Sequence, residues 1–426
     1  MTLAEIGSLH DEGKACQNEA CPVSDLNSAH DAWFPVRSIS VCDLRRGIMT
    51  NPHRVPELDG LRGIAALGIV FFHYSYPGIA YERFFYIGAV SLELFFVLSG
   101  FLITSIIIAN YEQRKFLTNF YARRGLRIYP IYYFLILALL AMRLFRPGIF
   151  ELDAIPYYLT YTQNIQKYWF GQEPPAIYPL SHTWTLAIEE QFYIIWPALI
   201  CVVGRRHVAL LAASFILVAI AARAYGFASW ILIGRFDGFA LGALLAVGLS
   251  HFQAPPRRTA VRRTLALMGS MAFAYLTIGF WLMGRKPFDI GTPDFWNCLH
   301  IFVVGIFFTA VVGLVISSAG HDWLAPLRGK AICYIGLISY GIYLYHLPVH
   351  VYFSAPLHAI GIRNSWVAIA LKLAICLCIA AVSWRLIERP ILTLKDRFSY
   401  RKLPQDKPIS TEGDLAENLD GGSAPS

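Results

Sequence analysis

The sequence predicts an all-α, polytopic integral membrane protein with about ten transmembrane helices and both the N- and C-termini cytosolic. Three observations carry this expectation. The 426 residues are 56% hydrophobic and 15% aromatic, with only 15% charged, and the mean hydropathy is +0.49; an ordinary soluble domain carries about a quarter of its residues as Asp, Glu, Lys or Arg. The apolar residues gather in runs of about 18 or more, the length a bilayer crossing needs. Lys and Arg are biased toward alternate loops, as the inside loops of a membrane protein are.

Residues 1–54 form a polar N-terminal segment that is acidic at first. Its opening, MTLAEIGSLHDEGK, has neither a basic n-region nor an apolar h-region and does not read as a cleavable signal peptide. A cytosolic, largely flexible tail is expected there. Apolar runs then fall at about 59–78, 84–109, 126–145, 184–203, 207–225, 228–249, 264–283, 296–317, 331–352 and 366–388, each near the length of one span. The membrane domain is therefore expected over 55–395, with its longest loop from about Arg146 to Ser181. The end, 396–426, is rich in Asp, Glu, Ser, Gly and Pro and is expected to be a disordered cytosolic tail.

With the N-terminus inside, Arg114, Lys115, Arg123, Arg124, Arg205 and Arg206 all fall on the cytosolic side, as do Arg257, Arg258, Arg262 and Arg263. The outside loops hold fewer cations, Arg223 and Arg285 among them, and the imbalance is about two to one. The net charge of +8 is thus mostly topological, which argues against a nucleic-acid partner. The eight cysteines show neither metal-ligand nor disulfide spacing, so no metal site is expected. No GxxxxGK[ST] loop, HExxH, GxSxG or Gly-rich dinucleotide turn occurs, which disfavours an energy-coupled pump or a metalloprotease.

Against this apolar background the ionisable residues inside spans stand out, because charge in hydrocarbon is expensive. The first span, ELDGLRGIAALGIVFFHY (57–74), contains Arg62 and His73. Eleven residues at 3.6 per turn bring both side chains to one helix face, about 16 Å apart along the axis. A neutral imidazole deep in the membrane suits a general base. Simple interfacial anchoring for Arg62, and a bond from His73 to a neighbouring carbonyl, stay open as alternatives. The second span, GAVSLELFFVLSGFLIT (88–104), carries Glu93, which requires a partner or a wet cavity; its Ser99 and Gly100 suit close helix contact. FYARRGLRIYPIYY (120–133) places Arg124 and Arg127 on adjacent helix positions beside Arg123. Guanidinium forks match phosphate oxygens, while positive-inside anchoring explains such a cluster equally well.

The fourth span opens SHTWTLAIEEQFYIIWP (181–197), with His182 and Trp184 at its outer edge and the tandem carboxylates Glu189 and Glu190 two turns in. Trp184 also fits an aromatic belt. Three weaker segments follow. RFDGFALGALLA (235–246) offers Arg235 and Asp237 as a structural ion pair. LISYGIYLYHLPV (337–349) places His346 in the outer half of its span, and SWRLIERPIL (383–392) reads as a helix stop and anchor at Glu388, Arg389 and Pro390.

Taken in order, ELDGLRGIAALGIVFFHY, GAVSLELFFVLSGFLIT, FYARRGLRIYP, HTWTLAIEEQFYIIWP, ISYGIYLYHLP and IERP closely resemble the integral-membrane acyltransferase family. That family includes bacterial O-antigen, peptidoglycan, exopolysaccharide and Nod-factor O-acyltransferases and macrolide acyltransferases. The resemblance covers about residues 55–395. It implies a bacterial inner-membrane enzyme that passes an acyl group, commonly acetyl, from a cytosolic acyl-CoA donor to a hydroxyl of a carbohydrate or glycolipid. Acetyl-CoA would then be a co-substrate, with no permanently bound cofactor. The family's essential Arg, ten residues, His pattern maps onto Arg62 and His73, its RxxR onto Arg124 and Arg127, and its glutamate onto Glu189 with Glu190 beside it. Glu93 stands where relatives frequently carry Asp. In this reading Arg62, Arg124 and Arg127 hold the donor phosphates, His73 is the base and Glu189 orients the imidazole or the acceptor. Glu93, Trp184, His182 and His346 support, the two histidines as outer-side contacts. Acceptor contacts are expected from the outer loops, through Asp153, Tyr168, Trp169 and Glu173. Some members carry a C-terminal hydrolase-like domain that this sequence does not show, so stand-alone transfer is expected. A transporter or flippase of a polar lipid or glycan is the competing class, since intramembrane Arg, His and Glu would serve it too; no clear internal repeat supports it.

Overall fold

The computed structural model describes residues 55–75, 82–113, 115–145, 151–169, 177–226, 229–251, 255–281, 295–362, 365–398 and 400. The N-terminal segment 1–54, the C-terminal 401–426 and Glu173 lie outside the described residues, and the side chains of Tyr168 and Trp169 do as well. Asp153 is exposed.

All the regular structure is helical, with no β-strand among the described residues. In chain order the principal helices are α1 (Pro56–Tyr74), α2 (Glu82–Asn110), α3 (Phe116–Met142), α4 (Trp184–Val203), α5 (Val208–Ala224), α6 (Phe236–His251), α7 (Pro255–Trp281), α8 (Phe295–Ser317), α9 (Lys330–Leu337), α10 (Ser339–Ala359) and α11 (Ser365–Ser383). Each apolar run of the sequence coincides with one of these, the ninth being split between α9 and α10. Six helical stretches among the described residues are long and apolar enough to cross a membrane, or seven if α9 and α10, bent by 72°, make one broken span. Three of the ten expected spans fall short of that test. Helix α6 is only 16 residues long, α1 carries Glu57, Asp59 and Arg62 within its first two turns, and α7 opens on a run of arginines. A multi-pass membrane protein results.

The bundle is closed by small residues where helices must approach closely. A Cβ at Gly100 of α2 would run into the Phe239 carbonyl of α6, and one at Gly242 of α6 into the Val97 carbonyl of α2, so Gly is required for this crossing. Aromatic rings fill the adjoining space: Phe192 stacks on Phe239 at 4.2 Å and Phe215 on Phe236 at 4.0 Å, tying α4 and α5 to α6. Exposed Leu137, Leu210, Leu217, Leu267 and Leu386 mark the opposite, outward faces, as lipid contact requires. Past α11 the chain widens into a π-helix (Trp384–Glu388), followed by the short helix Arg389–Leu392 and a 3-10 turn (Thr393–Phe398). This last turn is held against α3 by Arg123, whose Nη1 donates to Lys395 O at 3.0 Å.

Candidate active site

The N-terminal half of α1 and the N-terminal third of α3 bring their cations together. Arg62, Arg124 and Arg127 are half-buried and close enough to act on one another electrostatically through Arg127. Anions balance the cluster. Asp59, one turn before Arg62, feels both Arg62 and Arg127, and Glu388 faces Arg127 from the π-helix. The Arg124 guanidinium lies over the Tyr193 ring at 5.1 Å and the Phe120 ring at 5.8 Å, contacts that orient a planar cation without neutralising it. Three guanidiniums in one polar recess can grip a polyanion.

Helix α4 crosses beside this recess. Glu189 accepts from Ser99 Oγ of α2 at 3.3 Å and from Tyr193 OH at 3.3 Å; Ser99 and Tyr193 are themselves 2.9 Å apart. Arg62 and Arg124 lie within electrostatic reach of the same carboxylate. Ser99 is therefore more than a small packing residue. Glu190, one residue on and itself buried, lies next to Tyr129.

At the other end of α1 sits His73. Its Nδ1 lies 3.0 Å from Ile69 O and 3.3 Å from His346 Nε2. The His182 ring is 6.5 Å from His73 and 4.6 Å from His346. Tyr343, three residues before His346, ties this trio together. Its carbonyl meets His182 Nε2 at 2.9 Å and His346 Nδ1 at 2.6 Å, while its hydroxyl donates to His182 O at 2.7 Å and meets Thr185. No set of three or more His, Cys, Asp or Glu among the described residues is arranged to hold a metal ion. His182 and His346, expected as outer-side contacts, lie beside His73. Glu189, expected to orient the imidazole or the acceptor, is bound by Ser99 and Tyr193, while the His73 Nδ1 is contacted by Ile69 O and His346. Trp184 is half-buried against the main core cluster.

Glu93 lies apart from the recess. Its carboxylate sits 3.2 Å from Arg235 Nη1, with both side chains essentially fully buried. Asp237 takes Arg223 instead, at 2.7 Å through Nη2 and 3.0 Å through Nη1. The expected Arg235–Asp237 pair is therefore exchanged: the two residues, just before and just inside the start of α6, face different helices, and each charge finds its partner there. Arg223, counted from sequence among the outside loop charges, is 3% exposed. Gly238 makes room for the quartet, since a Cβ there would collide with Glu93 Oε1.

Sequence reasoning missed Tyr343, Asp59 and the inward turn of Glu388. The last corrects the reading of a helix stop and anchor: Glu388 is 7% exposed, turned inward by the π-helix that begins at Trp384. A π-bulge shifts side-chain register by one residue and recurs at functional sites. The rule applied to Glu93, that an acid in an apolar span needs a partner, would have found it.

Helices of lipid-crossing length that carry Arg, Glu and His on their packed faces define a multi-pass membrane protein with a polar site. The chain belongs to the acyltransferase domain family, whose model matches residues 55–385. Among curated relatives it is 28% identical over 423 residues to the peptidoglycan O-acetyltransferase OatA of Listeria monocytogenes, covering 85% of this chain and 61% of that protein. It is 30% identical over 370 residues to the O-acetyltransferase OatA of Staphylococcus aureus, covering 80% of this chain and 58% of that protein. The chain thus spans about three-fifths of these relatives' length. No solved structure matches it.

Proposed function

We propose that this protein is a membrane O-acyltransferase that moves an acetyl group from acetyl-CoA, supplied from the cytosol, to a hydroxyl of a glycan on the outer side. The supporting relatives are O-acetyltransferases by name, one of them acting on peptidoglycan, and a peptidoglycan-type glycan or glycolipid is the proposed acceptor. The observation that carries the reading is the track along α1: Arg62 stands among Arg124 and Arg127 at one end, and His73 stands about 16 Å further along at the other. Guanidiniums hold the donor's phosphates. The thin pantetheine arm runs up the track and delivers the thioester to His73. Glu189, bound by Ser99 and Tyr193, lies between the two ends.

The chemistry at His73 follows from its bonding. A backbone carbonyl only accepts, so Ile69 O assigns the hydrogen to Nδ1 and leaves Nε2 with its lone pair. No described residue hydrogen-bonds Nε2. It is therefore free to take the proton of an acceptor hydroxyl as that oxygen attacks the acyl carbon, with the thiolate leaving. Such a base contributes about 10²–10⁴-fold. Membership of an acyltransferase family weighs against the transporter reading.

The test is transfer of label from radiolabelled acetyl-CoA to soluble peptidoglycan fragments by purified protein, beside His73→Ala and Arg62→Ala. Loss of transfer in both supports the reading. Undiminished transfer by His73→Ala removes the base, and an active wild type that takes acetyl only from another donor removes acetyl-CoA.

A further inference from the structure

We infer that His346 is the positioning residue of a histidine pair with His73, filling the place that a carboxylate takes behind the base in hydrolytic triads. The inference rests on the reading of His73 as the base and deepens it. His346 is fully buried, and its Nδ1 lies 2.6 Å from the Tyr343 carbonyl. That nitrogen must carry the hydrogen, which leaves Nε2 as an acceptor. The His346 Nε2 then lies 3.3 Å from His73 Nδ1, the one nitrogen of His73 that Ile69 O fixes as protonated. The His73 Nδ1–H is thus shared between a carbonyl and an imidazole, and both contacts direct the Nε2 lone pair the same way.

His182 follows the same pattern, with Nε2–H on the Tyr343 carbonyl at 2.9 Å, so one backbone oxygen orders both rings packed around His73. Tyr74, the residue after His73, donates to His346 O at 2.9 Å, which locks α1 to α10 at this level and keeps the two rings in register.

A neutral partner is the economical choice at this depth. A buried carboxylate would be a permanent charge in an apolar span, whereas an imidazole orients its neighbour without resting charge. Its hydrogen bond strengthens when it is needed. As the acceptor O–H breaks and its proton moves to His73 Nε2, the oxygen's electron pair forms the new C–O bond. The C–S electrons leave with the thiolate, and the Nδ1–H of the resulting imidazolium becomes a charge-assisted donor to His346 Nε2. His346 itself is unchanged at the end of the cycle.

The experiment measures kcat and the acetyl-CoA KM of the full-length protein for His346→Leu, which removes the acceptor, and His346→Gln, which returns an oxygen near the position of Nε2. The expected result is a kcat lowered about 100-fold in H346L with KM within about twofold, and recovery in H346Q to within about tenfold of wild type. Wild-type kcat in H346L, an equal fall in H346Q and H346L, or a loss carried by KM overturns the proposal. His73→Ala run in parallel separates the two readings: if it retains full transfer, the base assignment fails whatever His346 does.

Discussion

Each of the key side chains is defined by what its partner can and cannot do. His73 sits between a carbonyl that only accepts and an imidazole whose own hydrogen is committed elsewhere, so a single nitrogen is left for chemistry. Substitution by Ala is expected to lower kcat about 10²–10⁴-fold, checked by steady-state transfer kinetics. The arginines should behave differently. Arg124→Ala or Arg127→Ala removes a charge-assisted contact of about 1.5–3 kcal/mol, so the acetyl-CoA KM should rise about 10–100-fold with a smaller effect on kcat. The types and spacing of Arg62, His73, Arg124, Arg127 and Glu189 were legible in the sequence, since charge in an apolar run announces itself. The grouping of His73, His182 and His346 was not, because 109 and 273 residues part His73 from the other two, as 182 − 73 and 346 − 73 give. Only tertiary packing brings their ring centroids to 4.6–6.5 Å of one another.

Helices carry the second level of the argument. Hydropathy found every long helix, and what it could not see was where a helix bends or changes register. Nothing in SYGIYLYH announces the break after Leu337 that turns α10 by 72° from α9. The π-helix at Trp384–Glu388 is equally silent in composition, yet its last residue is Glu388, which faces Arg127. The α2–α6 crossing rests on backbone contact at Gly100. Gly100→Leu should therefore fail to assemble: a large loss of folded yield in detergent is expected by size-exclusion chromatography, where Gly248→Ala, with open space around it, should not differ from wild type. The Glu93–Arg235 pair is a second clasp on the same crossing. Glu93→Leu leaves a buried guanidinium without its anion, a defect of about 3–5 kcal/mol, which should appear as a clear fall in thermal unfolding temperature.

Across the whole molecule the polar track has a direction. The arginine recess gathers the N-terminal parts of α1 and α3 with the π-helix that follows α11, while the histidines gather the C-terminal end of α1, the turn just before α4 and the middle of α10. Donor and acceptor ends therefore face opposite sides in the reading proposed above. In proteoliposomes of sorted orientation, acetyl-CoA should support transfer only from the side of Arg62, Arg124 and Arg127, and labelled glycan should appear only on the other. Product on the donor side would break that directionality.

The buried quartet of Glu93, Arg235, Asp237 and Arg223 also bears on how the chain is made. Helix α6 is shorter than any of the six stretches long enough to cross a membrane, and it brings with it a guanidinium just before its start and a carboxylate in its first turn. A lone Arg at the middle of a span costs about 2.5–3.5 kcal/mol to insert. Both opposite charges, on α2 and α5, emerge from the ribosome earlier. Chain order thus favours α6: it is synthesised after the two helices that carry its opposite charges, so both partners already exist when its own Arg235 and Asp237 have to be buried.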